Sequence, residues 1–191
     1  YATVPYNLMQ ESDSVKVICT DNRLDVRILG GLKQNDPADV MRGEETQIRG
    51  FLSNFSNFDG IICLPGTHTK WVQVSAGEVI SFRTFMSGEL FALMSEYSVL
   101  KHSVNSDGWN YQEFNSAVSE SISNPQKLFS DFFKLRADDL LNKVEKSVLR
   151  SKLSGYIIGT ELAGAKPYWL GQNIVILAKY DLSKVYKAAL E

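Results

Sequence analysis

The sequence has no apolar run near the roughly 20 residues that a bilayer-spanning helix needs, and only two cysteines and two histidines in 191 residues. The first lack excludes a spanning helix within these residues, and no stretch of them reads as a signal peptide. Cys19 and Cys63 are too few for a disulfide framework and are expected to be reduced thiols of a cytoplasmic protein. His68 and His102 stand apart with no Cys/His cluster, so no structural zinc site and no metal ligand is expected. Neither G-x-x-x-x-G-K-[ST] nor G-x-S-x-G occurs, which removes a P-loop and a nucleophile elbow. A net charge of −2 gives no general pull toward nucleic acid or an anionic membrane. No repeat, low-complexity tract or basic stripe is present either. The remaining composition is that of a globular protein, long enough for one large domain or two small ones.

Patterning along the chain predicts an α/β order. The stretch DVRILGGL (25–32) reads as a strand stopped by Gly-Gly, and NDPADVMRGEE (35–45) reads as a loop. From Glu44 to Phe58, Ile48, Phe51, Leu52 and Phe55 recur at helical spacing, with Gly43 at the helix start and two acids in the first turn. Next, GIICLPG, HTKWVQV and VISFRTF form a three-stranded meander with short turns. MSGELFALMSEYSVL (86–100) is a helix with Ser87 as N-cap candidate. The loop KHSVNSDGWN leads to two helices broken at Asn124-Pro125 and to a third, glycine-interrupted helix over 145–165. NIVILA is a buried strand, and DLSKVYKAALE a last helix with Asp181 as cap candidate.

Three places can carry chemistry. In CLPGTHTKW, the turn offers Gly66 for close backbone approach, Thr67 and Thr69 as hydroxyl donors, His68 as a ring donor and Lys70 as a point charge. That set suits a phosphate; the plain alternative is a hairpin turn with a solvated lysine. In Arg42-Gly43-Glu44-Glu45, a carboxylate at a helix start can act as a general base, unless the acids only complement the helix dipole. GTELAGA (159–165) places small residues at helical spacing, for close helix packing or for backbone approach to a nucleotide. Arg83 and Glu89 are read as an ion pair.

Taken together, DVMRGEETQIRGFL, ICLPGTHTKWVQV, ISFRTFMSGELFALMSEYSVL and GTELAGAKPYWLG resemble the 2-dehydro-3-deoxygalactonokinase family, over roughly residues 25–190. That family is similar to the sugar kinases of the actin-like ATPase superfamily, with two ribonuclease-H-like α/β domains and a cleft between them. The resemblance implies the ribonuclease-H-like actin/sugar-kinase/Hsp70 ATPase fold. It implies ATP and Mg²⁺, with γ-phosphate transfer to the C6 hydroxyl of 2-dehydro-3-deoxy-D-galactonate in galactonate breakdown. By the order of the family's motifs it makes Glu44 the base, with Glu45 as rival, and lets Arg42 and Lys70 neutralise phosphate charge. It makes Gly66, Thr67, His68 and Thr69 the second phosphate loop. It puts adenine near Gly159, Thr160, Ala163, Ala178 and Leu182.

Two departures matter. No Asp-x-Gly-Thr loop for the first phosphate and magnesium is found, and Ala178-Lys179 stands where glycine is expected. The chain, beginning at Tyr1 and ending in helix-like SKVYKAALE, is therefore read as a fragment, inactive alone. Residues 1–58 are the remnant of the N-terminal sugar-binding domain and hinge, and 59–191 are the C-terminal nucleotide-binding domain. The expected partners are a sugar acid and ATP, with a homodimer left open. The alternative is a degenerate kinase or a non-catalytic sugar-phosphate or nucleotide-binding module.

Overall fold

A computed structural model describes residues 1–10 and 14–191. Residues 11–13, inside the stretch read as the tail of a first domain, lie outside the described residues. Contacts group the chain into two compact units. One comprises Tyr1–Leu64, Lys70–Thr84 and Gly171–Leu177; the other comprises Pro65–Thr69, Phe85–Leu170 and Ala178–Glu191. Strands and helices together make a mixed α/β fold, as the patterning predicts.

The first unit holds the sheets. Strand β1 (Ala2–Thr3) pairs in parallel with β5 (Leu32–Asn35), which pairs antiparallel with β6 (Ala38–Met41). The stretch expected as a loop is thus half a hairpin. The Asp-Pro and polar residues of 35–39 hide a strand that alternates exposed with buried positions and whose ladder comes from β5. Strands β3 (Ser14–Lys16) and β4 (Arg27–Leu29) form a separate ribbon.

The five-stranded sheet runs β10 (Ile174–Ile176), β7 (Gly60–Leu64), β8 (Thr69–Ser75), β9 (Glu78–Phe85), β2 (Tyr6–Asn7). The expected meander is β7-β8-β9, and the expected buried strand is β10, parallel to β7. Every residue of β7 is buried, which is why it reads as an unbroken apolar run rather than an alternating one.

Helix α1 (Glu44–Asn54) starts at Gly43, whose φ of 115° lies where a side chain would be strained. It sends Ile48 and Leu52 into one core with Ile62, Val72, Val74 and Phe82. Each such fully buried side chain contributes about 1.5–3 kcal/mol of transfer free energy.

The second unit is helical. It contains α2 (Ser87–Ala92), continued by a π-helical turn (Leu93–Tyr97), α3 (Lys101–Val104), α4 (Tyr111–Ser123) and α5 (Leu128–Asn142). After them come α6 (Lys146–Gly164), α7 (Lys166–Trp169) and α8 (Tyr180–Leu190). The break at Asn124-Pro125 falls where expected, filled by one 3₁₀ turn. Asn110 caps α4 by accepting from the Glu113 N–H at 3.1 Å. The expected caps Ser87 and Asp181 instead lie one and two residues inside their helices, and the cap positions are Met86 and Lys179.

Helix α6 is the spine. Leu149, Leu153, Tyr156 and Ile157 join the core with Phe132 and Leu135 of α5. Gly155 and Gly159 leave α4 no room for a side chain: a Cβ on Gly159 would stand 2.5 Å from the Val118 carbonyl. Of the two readings of GTELAGA, close helix packing describes Gly159. Burial pushes the Tyr156 hydroxyl and the Asp131 carboxyl above their ordinary pKa values, with the Glu120 charge adding to both.

Among the described residues no helix is long and apolar enough to cross a membrane, and no three His, Cys, Asp or Glu side chains gather as a metal site.

Candidate active site

The turn between β7 and β8 is polar because it projects out of a buried strand. Gly66, Thr67 and His68 are exposed at its tip, while Thr69 and Lys70 are buried. Helix α2 clamps the tip from one side. Glu89 N–H donates to the Thr67 carbonyl at 2.8 Å, and the Glu89 carboxylate meets His68 Nε2 at 2.5 Å. Glu89, expected opposite Arg83, therefore has His68 as its partner. Gly88 lies so close that a Cβ there would fall 2.1 Å from the Gly66 carbonyl oxygen.

The two buried members of the motif are engaged elsewhere. The Lys70 ammonium donates to the Val40 carbonyl at 2.8 Å and to Thr84 Oγ1 at 2.7 Å. Thr84 in turn donates to Asp39 through both its hydroxyl and its N–H. Two of the three Lys70 ammonium donors are thus used inside the sheet unit, where they pin β6 to β8 and β9. The Thr69 hydroxyl meets Tyr186 Oη at 2.8 Å, so it too is turned inward.

In the helical unit the tip borders a cavity of ≈ 640 Å³. That volume suits a nucleoside-sized ligand. Gly66, Ser87 and Gly88 form one edge, and Phe91, Trp109 and Tyr111 form the aromatic wall. From α6 come Arg150, Ser154, Ile157 and Ile158; from α8 come Asp181, Leu182, Lys184, Val185 and Tyr186. The Arg150 guanidinium stacks over Phe91 at 5.0 Å. Trp109 Nε1 is buried with no hydrogen-bond partner among the described residues, while Arg150, Asp181 and Lys184 bring charge to the α6 and α8 walls.

Of the expected nucleotide residues, Leu182 lines this cavity, while Gly159, Thr160, Ala163 and Ala178 do not. The α6 residues in the wall lie at least one position earlier than expected, since Gly159 is spent on α4. Two aromatics flanking the Asn110 cap, Trp109 at the end of the polar loop and Tyr111 at the first residue of α4, were the available sequence signal for the wall. Arg150 gave none.

In the sheet unit, the start of α1 presents its two carboxylates differently. Glu44 is half-buried, and one oxygen accepts from the Arg42 N–H at 3.0 Å. Glu45 is 4% exposed and accepts from the Gly43 N–H at 2.6 Å. Both bonds hold an acid against free N–H groups ahead of the helix. Glu45, with Arg49 one turn later, also lines a smaller hollow of ≈ 280 Å³ beside Tyr1 and Tyr6. The Arg42 side chain is exposed.

Comparison with known proteins bears on what such an arrangement serves. The family model described as 2-keto-3-deoxy-galactonokinase matches residues 1–191. A protein of Rhizobium meliloti (strain 1021), named a probable 2-dehydro-3-deoxygalactonokinase, is 37% identical over 87% of this chain and 56% of its own length. The 2-dehydro-3-deoxygalactonokinase of Escherichia coli (strain K12) is 30% identical over 86% of this chain and 56% of its own. A crystal structure from Sinorhizobium meliloti, provisionally given the same kinase name, superposes with a TM-score of 0.91 at 35% identity. It covers all of this chain, which spans 63% of that one. The chain thus spans little more than half the length of the curated relatives it matches. With a family model matched from the first residue to the last, the chain belongs to the 2-keto-3-deoxy-galactonokinase family.

Proposed function

We propose that the chain is the larger part of a sugar-acid kinase that moves the γ-phosphate of ATP to the C6 hydroxyl of 2-dehydro-3-deoxy-D-galactonate. The observation that carries the reading is the aromatic-walled cavity of ≈ 640 Å³ with the backbone of Gly66 at its edge. Its aromatic walls suit a base and ribose, and the Gly66 edge suits a phosphate. The strand order β10-β7-β8-β9, a meander with a parallel strand beside its first member, supports the ribonuclease-H-like actin/sugar-kinase fold. Residues 1–58 would then serve the sugar-binding side and hinge, and 59–191 the nucleotide.

In this reading the nucleoside lies against Phe91, Trp109 and Tyr111, and the exposed tip of Gly66, Thr67 and His68 takes phosphate oxygens. Arg150 and Lys184 supply positive charge from the cavity walls. Glu44 accepts the proton of the attacking C6 hydroxyl. The new bond joins that oxygen to the γ-phosphorus, the bond from the γ-phosphorus to the bridging oxygen breaks, and ADP leaves. Little covalent chemistry falls to the protein, so positioning and charge neutralisation dominate. Glu44 has one oxygen held by Arg42 N–H and the other open for a proton. Glu45, buried at its own hollow, is the second candidate. Mg²⁺ in such sites is bound through one or two carboxylates together with the substrate phosphates. When bound on the phosphates of ATP, it would neutralise their charge.

A coupled ADP-release assay on the intact protein, with a panel of 2-keto-3-deoxy sugar acids, tests the reading. ADP release that depends on the six-carbon acid supports it. Tight ADP binding with no release for any acid would leave a degenerate kinase or a binding module instead.

A further inference from the structure

We propose that Tyr186 is a positioning residue for the phosphate turn, tying it to the helix that lines the nucleotide cavity. The proposal rests on the kinase reading and adds a part that no motif of the turn contains. Tyr186 sits on α8, is 2% exposed, and has its hydroxyl between two partners. It donates to Glu161 Oε2 at 2.9 Å and lies 2.8 Å from Thr69 Oγ1. A phenol has one proton. That proton goes to Glu161, so Thr69 donates to Tyr186. The chain of bonds runs from the base of the turn, through α8, to α6.

Two consequences follow from that direction. The Thr69 hydroxyl proton is committed and is no donor to phosphate, which leaves phosphate contact to the exposed tip. The turn is also held at both ends. Gly88 and Glu89 of α2 press on its tip, and Tyr186 fixes its base. The same helix α8 presents Leu182 and Val185 to the cavity. A nucleoside seated against α8 therefore meets a turn whose place is set from that helix. Thr69, Glu161 and Tyr186 are all buried, so this chain of bonds is sheltered from competition by water.

The test uses Tyr186→Phe, Thr69→Val and the double variant in the intact protein. The readouts are kcat, the Kd of a fluorescent ADP analogue and Tm. Tyr186→Phe keeps the ring in the cavity wall and removes only the bridging hydroxyl. The expected result is a kcat lowered about 10- to 100-fold, the scale on which misplacement by about an ångström acts, with ADP-analogue Kd within about twofold. Thr69→Val should reproduce the loss, and the double variant should be no worse than either single one. Should Tyr186→Phe not fold, Thr69→Val breaks the same bond from the other end and carries the test. An active wild type with an unchanged kcat in the folded variants, or with losses that multiply in the double variant, overturns the proposal alone. A wild type that phosphorylates no acid overturns the kinase reading and this proposal with it.

Discussion

Replacing Gly88 by alanine adds one methyl group where the β7–β8 turn and helix α2 touch. The new Cβ would lie 2.1 Å from the Gly66 carbonyl oxygen and 3.0 Å from both Gly66 C and Thr67 Cα. All three are backbone atoms, so no side-chain rotation relieves the clash. Real Cβ contacts essentially never fall under 3.0 Å, so either the turn or the first turn of α2 must retreat by roughly 0.9 Å, the shortfall in that geometry. Overpacking of this kind costs about 1–3 kcal/mol, which for a chain of this size lowers Tm by roughly 2–12 °C. The kinetic effect should be larger than the loss of folded protein. With the turn taking phosphate oxygens as proposed, moving its backbone by about an ångström should cost on the order of 10²-fold in kcat. The assay is ADP release at saturating ATP and sugar acid, at a temperature well below the variant's Tm. Full wild-type Tm together with full kcat would refute the close approach of α2 to the turn. A lowered Tm with unchanged kcat would refute the turn's part in the reaction.

Other outcomes follow from the same geometry. Glu44→Gln should lower kcat by about 10²–10⁴-fold, as expected for a lost general base, with ADP affinity unchanged. Glu45→Gln, assayed beside it, shows which acid takes the proton. Gly159→Ala would push a Cβ to 2.5 Å from the Val118 carbonyl oxygen and 2.8 Å from Ser121 Cβ. It should destabilise the α4–α6 contact by about 1–3 kcal/mol, seen as a lower denaturant midpoint, with ADP binding kept in the folded protein. Asp131 is buried with Oδ2 unpartnered, and its pKa is raised above the ordinary 3.8, by burial first and by the Glu120 charge next. Its ionised form is thus costlier in the folded state than in the unfolded one. Stability on this account is full below the unfolded value and is lost as pH rises through the raised folded one. Asp131→Asn should therefore have a higher Tm than wild type at pH 7, with the gap closing at acid pH. A constant gap would assign the effect to packing.

How much could be read in advance depended on how local the determining forces are. The meander β7-β8-β9, the helix after Gly43, the Asn124-Pro125 break and the buried β10 were legible, because apolar spacing, turn residues and missing N–H groups act over a few positions. Strand β6 was not. The Asp36-Pro37 turn before it looks like loop, and only the ladder with β5 makes Ala38–Met41 a strand. Ser87 and Asp181 have the chemistry of N-caps but stand one and two residues too far into their helices, within the margin by which local signals place a helix end.

The sequence by itself determined the family and the α/β order, because motif order and side-chain periodicity are properties of the chain. It also determined that a glycine-bearing, donor-rich turn would project from a buried strand. Tertiary structure alone decided which of those donors remain free. Lys70 is held by the Val40 carbonyl, 30 positions away, and Thr69 by Tyr186, 117 positions away. The cavity draws its wall from residues as distant as Gly66 and Tyr186. A buried polar group takes whichever partner the fold brings within hydrogen-bonding reach, since leaving it unpaired costs more than the bond gains. That partner is set by packing across the whole unit, which spacing along a single chain does not encode.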